Sequence, residues 1–277
     1  MNIYAFADEA SSVIDNQIVA MKRNSLQGLE IRNVDGINVS DITFEKAKEV
    51  KNKLDANGLV TWSVGSPIGK IDIITDDFNS HLEKLRHTCS IANILGAENI
   101  RMFSFYYPKD MEAKQVKDKV FESIEKMLCV ARENGVYLCH ENEKGIYGDV
   151  ASRCLELYKT FSDLKGVFDP ANFVQCGQDT KEAWEMLKDY VYYLHIKDAR
   201  ADGNVVPAGE GVGNIPFILK EYAARGGNAI TLEPHLKVFD GLKNLEKEGE
   251  EIQVGIRSFA TGDEAFDTAV KALRGVL

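Results

Sequence analysis

The 277-residue sequence predicts an α/β fold, a closed (β/α)8 barrel spanning residues 1–277 as a single domain. Three observations predict it. Short β-rich runs alternate with longer segments of helical periodicity, at spacings of roughly 25 to 40 residues, as parallel βαβ units require. Eight such runs are present in a chain of the length typical for that barrel. The rival, a doubly wound open sheet, calls for a glycine fingerprint after the first strand, and this chain has FADEA (6–10) there.

The eight strand candidates are IYAFAD from Ile3, GLEIRNV from Gly28, LVTWSVG from Leu59, NIRMFSF from Asn99, GVYLCHE from Gly135, GVFD from Gly166, YYLHIKD from Tyr192 and NAITLEP from Asn228. Between them lie helical signals. Thr43 is placed to cap a helix through Val50 and Leu54 that stops at Gly58. Leu82, Leu85, Cys89, Ala92 and Leu95 recur at three- and four-residue steps. The segments 110–135, 179–190 and 215–227 read the same way. No Pro- or Ser-rich linker divides the chain. The long polar stretch 235–264 predicts a loop over the barrel mouth, followed by a closing helix over 263–277.

Composition narrows the function classes. The chain is 44% apolar and 27% charged, ordinary for a soluble enzyme, and its net charge of −10 offers no general polyanion-binding surface. Nucleic acid is therefore not an expected partner, whereas an anionic small molecule stays open. No run of about 18 apolar residues exists to cross a membrane, and the N-terminal residues lack a secretory pattern. Cys89, Cys129, Cys139, Cys154 and Cys176 form no CxxC pair, which predicts free thiols in a reducing cytoplasm.

Chemistry in such barrels sits where the strands run out. The fifth run ends in Glu141 and Asn142, the sixth in Asp169, the seventh includes His195, and the eighth includes Glu233. Alternation puts Cys139 with Glu141, Val167 with Asp169 and Thr231 with Glu233 on one face each. Three carboxylates converging on one rim repel one another unless a divalent cation sits between them. Oxygen-rich ligation with a single imidazole suits Mn2+ best, then Mg2+ or Co2+, with Zn2+ tolerated.

The motifs HEN (140–142), FDPAN (168–172), HIKDA (195–199), GEGVGNIPF (209–217) and LEPH (232–235) resemble the xylose-isomerase-like TIM-barrel superfamily of sugar phosphate isomerases and epimerases. The resemblance covers most of the chain and is strongest from Val136 to His235. It implies that Glu141, Asp169, His195 and Glu233 bind one metal ion and that substrate oxygens complete its shell. It also implies that Glu141 and Glu233 double as proton-transfer groups. Several relatives carry His three residues after the sixth-strand Asp; Asn172 stands there in this chain, and an amide is a poor metal ligand.

The implied reaction removes a proton next to a carbonyl, with the metal stabilising the resulting enediolate. The expected substrate is a small sugar, sugar phosphate or keto-polyol. His195 would use one ring nitrogen on the metal and the other on an acceptor that orients it. Asn142, Glu143, Asn172, Lys197, Arg32 and Ser66 are candidate substrate contacts. Lys197 equally suits an ion pair with a neighbouring carboxylate, and His140 points away from Glu141. Gly209, Gly211 and Gly213 lie where barrels often bind phosphate. A lyase or dehydratase shares the same first step and stays open. An abasic-site endonuclease would need additional histidines after the third and fourth strands, where SVGSP and MFSFYY stand. A non-catalytic sugar-binding barrel, and assembly as a homo-oligomer, are further alternatives.

Overall fold

Alternation along each strand decides which side chains enter the barrel. In the computed structural model, which describes residues 1–239, 255 and 257–277, eight parallel strands close on themselves. They are β1 (Asn2–Ala5), β2 (Gly28–Ile31), β3 (Val60–Gly65), β4 (Asn99–Met102), β5 (Tyr137–Glu141), β6 (Lys165–Phe168), β7 (Val191–Ile196) and β8 (Ala229–Leu232). They follow chain order around the barrel, and β8 pairs with β1 so that Thr231 lies opposite Tyr4. Each sequence-predicted strand is present.

Outward-facing Leu29, Ile31, Ile100, Met102, Leu138, Phe168, Leu194, Ile196, Ile230 and Leu232 join the continuous core between barrel and helices. Inside, Tyr4, Cys139, Val167 and Tyr193 form a separate apolar cluster, with Trp62 stacked on Tyr4 at 4.9 Å between ring centroids. The aromatic floor displaces water from one end of the barrel and leaves the strand C-termini to the polar groups. Trp62 is thus a packing residue.

The helices are α1 (Ile14–Arg23), α2 (Phe44–Ala56), α3 (Phe78–Leu95), α4 (Ala113–Glu133), α5 (Ala151–Thr160), α6 (Pro170–Gln175), α7 (Thr180–Leu187), α8 (Ile215–Ala224) and α9 (Gly262–Val276). Thr43 Oγ1 accepts from the Lys46 amide at 3.1 Å, the cap its position predicts, and Gly58 follows α2 with φ +68°. Helix α9 is the predicted closing helix. The loop expected over the mouth falls largely in 240–254 and 256, outside the described residues. Among the described residues no helix is long and apolar enough to cross a membrane.

Candidate metal centre

Four consecutive strands deliver the candidate ligands. Glu141 ends β5, Asp169 follows β6, His195 is the penultimate residue of β7, and Glu233 follows β8. Because the strands are parallel and neighbouring, these four ends share one rim. One ligand atom from each of the four lies within 4.8 Å of the others, and all four residues are buried.

His195 Nδ1 faces Glu141 Oε1 at 3.0 Å and Glu233 Oε2 at 3.5 Å, while Nε2 faces Glu30 Oε2 at 3.0 Å. Lys197 Nζ stands 3.0 Å from Asp169 Oδ2 and 3.1 Å from Glu233 Oε2. The ion-pair expectation for Lys197 therefore holds. Arg32 reaches Asp8 at 2.9 Å, Glu9 at 3.1 Å and Glu233 at 3.1 Å; its guanidinium lies 4.4 Å from the Phe6 ring centroid. Arg101 donates to Glu141 Oε2 at 3.1 Å and to the Gly65 carbonyl at 3.2 Å.

Asp169 has a double position. Its Oδ1 accepts from the Asn172 amide at 3.0 Å, capping α6, which Pro170 opens. Its Oδ2 is buried without an aligned hydrogen-bond donor, although the Lys197 ammonium is close. Asn172 Nδ2 donates to Glu141 Oε1 at 3.3 Å and to the Asn142 carbonyl at 2.8 Å, so the amide braces Glu141.

Charge balance tests whether a cation belongs here. Asp8, Glu9, Glu30, Glu141, Asp169 and Glu233 are all buried, against the permanent cations Arg32, Arg101 and Lys197. The carboxyls outnumber these fixed cations, and buried carboxylates left uncompensated are strongly unfavourable. Burial raises the Asp169 carboxyl to about 7 against the opposing pull of Lys197. Burial likewise lifts Glu9 to about 8, opposed by Arg32. Burial also opposes ionisation of Glu141, but His195 and Arg101 outweigh it and hold that carboxyl below its usual range. The donor set and its excess of carboxyls over fixed cations fit a divalent cation.

Other candidate contacts separate on inspection. Glu143 pairs with Lys70 at 3.1 Å on the rim. The Ser66 hydroxyl donates to the Arg101 carbonyl at 2.5 Å and accepts from the Ile68 amide at 3.2 Å, which fixes a turn after β3. Asn142 bridges two strands. Its amide donates to the Asp169 carbonyl and its oxygen accepts from the Asp169 amide, both at 2.9 Å, which ties β5 to β6. The glycine loop corrects the phosphate expectation. Asp198 accepts from the amides of Gly209, Gly211 and Gly213 at 2.9, 3.0 and 2.9 Å, filling that cradle with the protein's own carboxylate. A Cβ on Gly211 would stand 2.3 Å from Asp198 Oδ1, so glycine permits the approach. His140 points outward as alternation requires, against Ser104 Oγ at 2.9 Å and Tyr158 Oη at 3.2 Å.

Sequence reasoning left Glu30 unranked and did not single out Asp8, Glu9, Arg101 or His235. One ligand atom from each of Glu9, Glu233 and His235 lies within 4.8 Å of the others, and Arg32 contacts both glutamates there.

The family described as xylose isomerase-like TIM barrel matches residues 20–260. The chain belongs to this family. Among solved structures, this xylose isomerase-like barrel is similar to D-psicose 3-epimerase with D-tagatose from Clostridium cellulolyticum H10, at 16% identity and TM-score 0.76, covering 100% of this chain and 98% of that one. It is similar to the probable 3-DHS dehydratase AsbF from Bacillus anthracis, at 18% identity and TM-score 0.73, over 99% and 98% of the two chains. The IOLI protein, solved with a zinc atom, is 14% identical with TM-score 0.74, over 100% and 98%. At these identities the likenesses carry the barrel fold alone. No curated protein matches the chain in sequence.

Proposed function

We propose that this xylose isomerase-like barrel is a divalent-metal-dependent isomerase or epimerase of a small sugar, sugar phosphate or keto-polyol. The observation that carries the reading is the buried set Glu141, Asp169, His195 and Glu233, drawn from four neighbouring strands to within 4.8 Å. Mn2+ suits three carboxylates and one imidazole best. When bound, such an ion supplies Lewis-acid stabilisation of negative charge on adjacent substrate oxygens.

The chain's own residues supply the proton traffic. Glu141 and Glu233 approach from β5 and β8, with β6 and β7 between them, so they address a substrate from different sides. One takes up the proton beside the carbonyl; the other, entering the step protonated, delivers its own proton to the opposite face in epimerisation or to the next carbon in isomerisation, and exchange with solvent resets both carboxyls. Arg101 and Asn172 hold Glu141, and Arg32 and Lys197 hold Glu233. Asn142, Glu143, Asn172, Lys197, Arg32 and Ser66 are the proposed substrate contacts. The unpaired cysteines suit a reducing, cytoplasmic setting.

Metal analysis combined with a panel of ketoses, aldoses and keto-polyols in D2O tests this reading. Exchange of one carbon-bound hydrogen is expected. Glu141→Gln and Glu233→Gln should each abolish that exchange and leave the circular dichroism spectrum unchanged. Full exchange in either variant would overturn the two-glutamate scheme.

A second reading is a dehydratase acting on a keto-polyol. Lys197 favours it, because an ammonium 3.1 Å from a candidate base is placed to hydrogen-bond a departing hydroxyl. Loss of water with the ultraviolet absorbance of a conjugated enone would identify this outcome.

A further inference from the structure

Glu30 lies on β2, across the barrel from His195 on β7, and is fully buried. A carboxylate in that place needs donors on both oxygens, and the barrel supplies them from two strands. Oε1 accepts from Tyr193 Oη at 2.9 Å and from Ser63 Oγ at 3.3 Å. Oε2 is left facing His195 Nε2 at 3.0 Å. The carboxylate is therefore held at one end by two hydroxyls, with its other end directed at one ring nitrogen.

The consequence lies at the opposite edge of the imidazole. With Nε2 donating its hydrogen to Glu30, Nδ1 is the nitrogen presented to Glu141 and Glu233. The ring is also gripped from its sides, by Phe6 at 5.3 Å and Tyr193 at 5.5 Å between centroids, both edge-on. A hydrogen bond to a carboxylate fixes the imidazole tautomer and raises the basicity of the other nitrogen.

We propose that Glu30, braced by Tyr193 and Ser63, is the positioning residue that selects Nδ1 of His195 as the metal-binding nitrogen and strengthens it. This inference rests on the metal reading of Glu141, Asp169, His195 and Glu233, and it adds a residue from outside that set. Glu30 touches neither substrate nor metal in this scheme and acts only through the imidazole.

The test uses the full chain and two probes, Mn2+ titrated by electron paramagnetic resonance and Co2+ followed by its visible ligand-field bands. Glu30→Gln keeps the shape and a hydrogen-bonding oxygen but removes the charge. Its Mn2+ affinity is expected to fall by roughly 10- to 100-fold, with shifted Co2+ bands. Wild-type affinity and unshifted bands in Glu30→Gln would overturn the role of Glu30 while leaving the metal reading intact. So would a lower unfolding midpoint of the metal-free variant with both metal readouts unchanged, since that marks a purely structural side chain. Failure of the wild-type chain to bind either ion would instead overturn the metal reading and the inference together. Should Glu30→Gln not fold, Tyr193→Phe decides: weaker Mn2+ binding with shifted bands supports the proposal, and unchanged values overturn it.

Discussion

Asp198 follows the candidate ligand His195 by three residues yet turns its carboxylate into a glycine loop. It accepts four backbone amides, from Ala199, Gly209, Gly211 and Gly213. With those amides satisfied by one side chain, the loop is a structural clasp. Asp198→Ala leaves buried donors unpaired and should lower stability by roughly 2–4 kcal/mol, measured by urea unfolding. Asp198→Asn, which retains one accepting oxygen, should fall between the variant and the wild type. Equal stability of Asp198→Ala and wild type would contradict the clasp. Asn172 illustrates the same economy: its one amide braces Glu141 and the Asn142 backbone.

At the scale of elements, helices position the loops that the strands leave behind. The turn after β3 contains Gly69, whose φ of +90° and close approach to Phe103 leave no room for a side chain. Its amide donates to His81 Nε2 on α3 at 2.7 Å, which requires an unprotonated nitrogen. Burial first, and Lys84 second, pull His81 down to about 4. Between that value and the ordinary histidine range near 6.5, the unfolded chain holds the extra proton and the folded chain does not. The stabilisation is therefore complete above about pH 6.5, declines as the pH falls, and is lost below about pH 4, amounting to about 3 kcal/mol. His81→Gln should flatten the dependence of unfolding free energy on pH across that window, relative to wild type in the same urea titrations. An unchanged slope would show that His81 does not titrate there.

Across the whole molecule, barrel closure gathers more negative charge than its fixed cations balance. A divalent ion that binds the folded chain and not the unfolded one adds stability by mass action, about 2.7 kcal/mol at a free concentration one hundred times Kd. Thermal unfolding should thus shift upward with added Mn2+ and return on chelation, and the shift should vanish in Asp169→Asn combined with Glu233→Gln. A shift that persists in the double variant would place the ion elsewhere.

Strand order, helices α2, α3, α4, α7, α8 and α9, the barrel and the four rim residues could be read from local pattern. Alternation within a strand and three- or four-residue steps within a helix depend only on neighbouring residues, and carboxylates at strand ends stand out against apolar runs. Helices α1, α5 and α6 went unread; Val13 and Val150 precede the first two with no capping side chain, and α6 is only six residues long. The missed site residues have another cause. Glu30 sits within a strand candidate, Arg101 lies mid-run, and Asp8 and Glu9 follow the first strand; none carries a local signature.

Sequence by itself determined the order of the strands, the closed α/β class and which four side chains meet at the rim. Only tertiary structure decided their partners: Glu30 for His195, Arg101 for Glu141, Arg32 for Glu233, and Asp198 for the glycine loop. The physical reason is distance along the chain. A periodic pattern is written in adjacent residues, whereas a hydrogen bond between Glu30 and His195 exists only after closure has brought β2 and β7 to opposite sides of one narrow lumen.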